Sequence, residues 1–311
     1  MQAFNKNHAF FHQSILITLV LLFAGIQTLF AFSFTMQIVF FLTVTLTIGV
    51  FHGMLDIALL KFTTFQQSGF LAVYAVLALS ALLFFLFIPN AAFVVLLLLS
   101  IWHFGEAQRS DDVMPIQSKM QQVFKRFMLG ATPLAAPYMM ANQSLYAVLV
   151  TLLPGTVWLS ITWSVWGVIA WAWLAAFTAH LIGLAVNKVS HPDPAALLEI
   201  LAVWLSFSLL SPLIAFSLYF GAYHAVRHIR DVLSNTYDIK NHKTQMIWIG
   251  IIILMMLTLV IVMLNNQIYL NNLQISSAAI LLRASFILLV VITLPHTFLI
   301  SIWRNNLYKS L

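Results

Sequence analysis

Two histidines, His224 and His228, stand four residues apart in the stretch YFGAYHAVRHIRD, from Tyr219 to Asp231, near the end of a long apolar run. On a helix, positions four apart lie one above the other on a single face. Two imidazoles so placed can grip one metal ion, as other helix-borne His-x-x-x-His sites do. Such sites usually take three or four ligands, so partners must come from elsewhere in the chain. The sequence holds 10 histidines and no cysteine, which excludes thiolate ligation, disulfides and cysteine nucleophiles together.

The elements that carry these histidines follow from composition. Of the 311 residues, 62% are hydrophobic and only 7% charged, with a mean hydropathy of +0.99. Apolar runs of about 20 residues read as membrane-spanning helices. Runs such as Ile251 to Leu264 lack the polar alternation of a barrel strand, so a helical bundle is expected. The fold class is therefore an all-α polytopic membrane protein, a single transmembrane domain over residues 1–311. Ten spans are expected, with eight as the lower bound: 10–32, 34–60, 70–88, 91–108, 123–150, 158–187, 196–211, 213–233, 246–264 and 277–303. Pro133 and Pro137 should kink or break the fifth, and the seventh and eighth meet at Ser211-Pro212. The run from Ile15 to Phe32 is too long for a signal-peptide core and is kept as the first span.

Charge then orients the bundle. With the N-terminus in the cytoplasm and ten alternating spans, the cytoplasmic segments hold Lys6, Lys61, Arg109, Lys119, Lys125, Arg126, Lys188, Arg230, Lys240, Lys243, Arg304 and Lys309. The remaining basic residues, Arg227 and Arg283, fall within spans, and the outer segments hold none. This one-sidedness predicts a cell-membrane protein with both termini cytoplasmic. It also accounts for the formal charge of +6 without nucleic acid as a partner.

That topology, drawn without reference to histidine, brings His52, His103, His224, His228 and His296 near the inner ends of four spans. They share one layer of roughly 10 Å depth at 1.5 Å per residue. Ionisable groups within a bilayer usually face the bundle interior, so one buried metal site is expected. His180 reads as structural, and His8, His12, His191 and His242 as solvated or interfacial. Asp56, four residues after His52, is placed to accept an N–H from a ligating imidazole, and Glu106, three after His103, to do the same or mark the helix end. Gly53 allows close approach of another helix. Arg227 and Asp231 read as an intrahelical ion pair. An all-imidazole set suits Fe, Cu, Zn or Ni. Four such ligands leave open positions on octahedral Fe(II) and none on tetrahedral Zn, and the residues alone leave both open.

The four histidine contexts together resemble the Brp/Blh family of membrane β-carotene 15,15′-dioxygenases. The matching residues are Gly49-x-x-His52-Gly53-x-x-Asp56, Ser100-x-x-His103-Phe104-Gly105, Tyr223-His224-x-x-Arg227-His228 and Pro295-His296, in the family's order. Tyr223 stands where Trp is common, and Ala225 where a small hydroxyl residue is common. The resemblance implies a non-haem Fe(2+) held by His52, His103, His224 and His228, with His296 in the pocket wall or supporting shell. It implies O2-dependent cleavage of the central double bond of β-carotene to two molecules of all-trans-retinal, and hand-over of retinal to a retinal-binding protein. A lipid-soluble carotenoid as substrate suits a site among spans, and some of the 26 Phe, 9 Trp and 8 Tyr are available to line a polyene tunnel. The rest are expected at lipid contacts and interfaces. The alternatives are a membrane di-iron hydroxylase or desaturase, a non-enzymatic metal transporter, and a bis-histidine haem protein. The first needs more histidines in tight boxes, and the second needs carboxylates along both halves of a pathway.

Overall fold

Every regular element among the described residues is helical, as a chain of this hydropathy requires once its backbone must bond internally. The computed structural model describes residues 6–56, 59, 67–107, 119–153, 156–186, 194–235, 261 and 277–309. In chain order the helices are α1 (Lys6–Leu29), α2 (Phe34–Met54), α3 (Gln67–Phe87), α4 (Pro89–Ala107), α5 (Lys119–Met140) and α6 (Asn142–Leu152). They continue with α7 (Thr156–Ala185), α8 (Pro194–Leu209), α9 (212–235) and α10 (Ser277–Lys309).

Among the described residues, five helices are long and apolar enough to cross a membrane, over Phe11–Leu29, Phe34–Met54, Pro89–Glu106, Leu159–Gly183 and Ser277–Trp303. Ala72–Phe87 and Pro194–Leu209 are apolar but shorter. The expected count of ten is thus not reached among the described residues. Lys119, Lys125 and Arg126 lower the hydropathy of α5, and Arg227, Arg230 and Asp231 that of α9. The expected span 246–264 lies outside the described residues except for Ile261, and His191 and His242 lie outside them too.

The expected break in the fifth span falls later than its prolines. α5 runs through Pro133 and Pro137 and stops at Ala141, whose φ of −123° and ψ of 33° leave the helical region. Two indoles of α7 bond carbonyls of α5: Trp166 Nε1 donates to Leu134 O at 2.7 Å and Trp173 Nε1 to Met128 O at 2.8 Å. These clamps hold a helix that two prolines weaken, each lacking its N–H. At Ser211 the backbone is extended, as a residue before proline prefers, and Pro212 opens α9 at its first position.

Packing places the histidine-bearing helices together. α5 lies between α4 and α7, α10 packs on α3 and α4, and α1 packs on α8 and on the middle of α9. α4 and α5 cross at glycines: a β-carbon on Gly130 would strike Ile101 O, and one on Gly105 would lie 2.5 Å from Arg126 O. Small residues permit such contact between membrane helices, and this crossing fixes the end of α4 that carries His103.

Candidate metal centre

The helices that bear the site are not regular. α2 turns π-helical over Thr45–Gly49, just before His52, and α9 over Leu218–Ala225, which includes His224. Such widened turns recur at functional sites because they rotate the following side chains off the α register. The two π stretches pack against each other. A β-carbon on Gly49 would lie 3.0 Å from Phe220 Cε1, and one on Gly221 would lie 2.5 Å from Val44 Cγ1. Two glycines, each receiving a side chain of the other helix, thus let the stretches that carry His52 and His224 approach. Gly53 performs the expected role against α10, where a β-carbon would lie 3.2 Å from Ile292 Cγ2.

Five imidazoles converge from four helices, all buried: His52, His103, His224, His228 and His296. His52 Nε2 lies 3.0 Å from His296 Nε2, and His103 Nε2 lies 3.0 Å from His224 Nε2. Ring centroids of His52 and His228 are 4.4 Å apart, and those of His103 and His296 are 4.8 Å apart. Two groups, His52–His228–His296 and His52–His103–His224, have ligand atoms within 4.8 Å of one another. A neutral imidazole offers one lone-pair nitrogen, so two groups sharing His52 describe one site. Nitrogen ligands at about 2.1 Å from one ion stand roughly 3 Å apart when their bonds are at right angles. The donor set and its spacing fit a first-row metal ion bound by imidazole.

The supporting residues differ from the expectation in their partners. Asp56 is fully buried, and its Oδ1 accepts from His296 Nδ1 at 2.6 Å rather than from His52. The α-helical part of α2 ends at Met54, so Asp56 leaves the face on which four-residue spacing would have stacked it over His52. Tyr74 of α3 donates to the other oxygen, Asp56 Oδ2, at 3.2 Å. Glu106 is buried and pairs with Arg126 Nη1 at 3.2 Å, tying α4 to α5. Arg227 Nη1 donates to Tyr223 Oη at 3.2 Å and lies 4.0 Å from Glu199 Oε2, while Tyr223 itself donates to Glu199 at 2.6 Å. Asp231 is buried as well.

Other histidines sort differently. His180 is half-buried on α7, outside the cluster. His12 is buried, not solvated, and its Nε2 accepts from Arg230 Nη1 at 2.8 Å, because α1 packs against α9. Sequence reasoning passed over Glu199 and Tyr74. Glu199 did carry a signal, a lone carboxylate inside the apolar stretch ALLEILAVW; Tyr74 carried none.

A cavity opens from the cluster. His52, His103 and His296 line it, and the rest of its wall is largely apolar, with Phe93, Trp166, Leu149, Phe207, Phe216, Phe220 and Phe286 among it. Phe104 lines it too, whereas Tyr223 is held by Glu199 and Trp102 is exposed, its Nε1 donating to Ser301 Oγ. A sequence model of the β-carotene 15,15′-dioxygenase family matches residues 43–304, a range that contains all five clustered histidines. The chain belongs to that family. No curated protein and no solved structure matches it. In this β-carotene dioxygenase family member, the structure places a buried imidazole cluster beside a largely apolar cavity.

Proposed function

We propose that this chain is an Fe(II)-dependent enzyme of the cell membrane, a single transmembrane domain with both termini cytoplasmic. In this reading it cleaves the central 15,15′ double bond of β-carotene with O2 to give two molecules of all-trans-retinal. The observation that carries the proposal is the cavity. Three imidazoles of the cluster meet a long, mostly apolar wall, which suits a hydrocarbon with no polar handle. Ligand pockets of this kind bind by burial and orient by a few fixed groups.

The ligands in this reading are His52, His103, His224 and His228. When bound, iron supplies activation of O2 toward an alkene, which imidazoles alone lack. The chain's own residues do the rest. The cavity wall aligns the polyene so that its central bond lies beside the histidines, and this positioning is a large part of the barrier lowering. The same wall keeps water from the reacting bond. Scission of a carbon–carbon double bond to two carbonyls needs no general acid or base. Consistently, none of the buried carboxylates Asp56, Glu106, Glu199 and Asp231 lines the cavity, and the first three are engaged by partners.

The test is expression in carotene-producing cells. Membranes should lose yellow-orange pigment and gain retinal, and carotene that persists with iron and O2 supplied would overturn the proposal. Purified protein should hold one iron per chain. His224→Ala or His228→Ala should lose that iron, while His191→Ala should keep it. Two irons per chain would favour the di-iron alternative, which the geometry does not support: the two candidate groups share His52.

A further inference from the structure

His296 lines the cavity, and its ring is also tied into the histidine cluster and to a buried carboxylate. Its Nδ1 is committed to Asp56 at 2.6 Å, inside a site where Asp56 is 0% and His296 3% exposed. The second carboxylate oxygen is held by Tyr74, so Asp56 cannot swing away without breaking a further bond. A carboxylate accepts only, so Nδ1 carries a proton. In the neutral ring the lone pair then sits on Nε2. That atom lies 3.0 Å from His52 Nε2, and the centroid of the His296 ring is 4.8 Å from that of His103 and 5.2 Å from that of His228. A carboxylate–imidazole pair whose far nitrogen faces other imidazoles is the arrangement by which proteins fix the tautomer and raise the basicity of a metal ligand.

We propose that His296 is a fifth ligand to the metal, and that Asp56 is the positioning residue that holds it in its ligating tautomer. This rests on the metal centre proposed above. It assigns Asp56 to His296 instead of to His52, and it makes α2 and α10 partners at the ion through both a ligand pair and the carboxylate that joins them. Tyr74 extends the same support to α3.

The test uses the full-length protein in detergent, stripped of metal and titrated with Co(II), whose visible absorption reports coordination number and ligand set. His296→Ala should bind Co(II) at least ~10-fold more weakly than the parent, with a changed spectrum. His296→Gly should recover the parental spectrum when imidazole is added, which a merely structural histidine would not allow. Asp56→Asn, which keeps the shape and removes the charge, should weaken binding ~10–100-fold, the usual effect of losing such a partner. Parental affinity and spectrum in His296→Ala, with binding lost in His224→Ala, would sink this proposal and leave the metal centre standing. Parental binding in His224→Ala would sink the centre and this proposal with it. Should His296→Ala fail to fold, Asp56→Asn decides: parental affinity and spectrum there would overturn the assignment.

Discussion

Gly221 lies so close to Val44 that a β-carbon on it would stand 2.5 Å from Val44 Cγ1, a separation real side chains do not tolerate. The contact joins the π-helical stretch of α9 to α2 just ahead of its own π-helical stretch, so a methyl group there pushes two ligand-bearing helices apart. Val44 is β-branched and has little rotamer freedom with which to yield.

Gly221→Ala should therefore cost about 1–3 kcal/mol, the usual effect of overpacking a tight interface. Iron content should fall although no ligand has changed. Adding Val44→Ala removes the colliding methyl group and should recover most of the lost iron, a coupling that a double-mutant cycle reads directly. Equal iron loss in the single and double variants would disprove the contact's role.

The buried set Glu199, Tyr223 and Arg227 ties α8 to the residue beside His224. Arg227 is 8% exposed, so Glu199→Leu takes a carboxylate from beside a buried guanidinium and removes the acceptor of Tyr223. The expected loss is about 3–5 kcal/mol. Replacing both partners, Glu199→Leu with Arg227→Met, should regain part of it, since neither charge of this pair is then left facing the other's empty place. Thermal unfolding in detergent compares the variants, and a double variant no better than Glu199→Leu would refute the argument.

Much of this arrangement is readable in the sequence, and for identifiable reasons. One shared histidine layer is the expectation that lysine and arginine placement gives, a rule that makes no reference to the site. His52, His103, His224 and His228 do meet, as their shared depth implied, and His296 meets them. What the sequence conceals is which side chain finds which. Asp56 seemed destined for His52 by spacing, yet the helix ends at Met54 and the carboxylate turns to His296, 240 residues away. His12 reads as interfacial until α1 is seen to bury it against Arg230. The π stretches leave no periodic signal, since glycine and packing across the helix pair shape them. The number of spans is the least legible feature, because charged turns and prolines shorten apolar windows that the eye joins.

Leu149 is 1% exposed and lines the cavity from α6, a helix that carries none of the clustered histidines. Leu149→Phe should narrow the cavity without touching the cluster. Under the proposed function, carotene turnover should drop at least ~10-fold while iron content stays at the parental level, with overpacking costing about 1–3 kcal/mol of stability. Pigment assays and metal analysis on the same preparation separate the two effects. Unchanged turnover would place the substrate elsewhere.

Metal removal gives the broadest test of the cluster as a folding element. Five buried imidazoles crowd one point, with nitrogens as close as 3.0 Å in two pairs. Their lone pairs need a shared cation, or hydrogen bonds that this crowding can satisfy only in part. An ion that binds the folded protein alone stabilises it by RT ln(1 + [L]/Kd), about 4 kcal/mol at a thousandfold excess over Kd. Chelation should therefore lower the apparent melting temperature in detergent, and restoring Fe(II) should raise it again. The shift should vanish in His224→Ala, which has no site to fill, while the Leu149→Phe protein should retain it in full. A melting temperature indifferent to chelation in the parent protein would mean that these histidines bond one another and hold no ion.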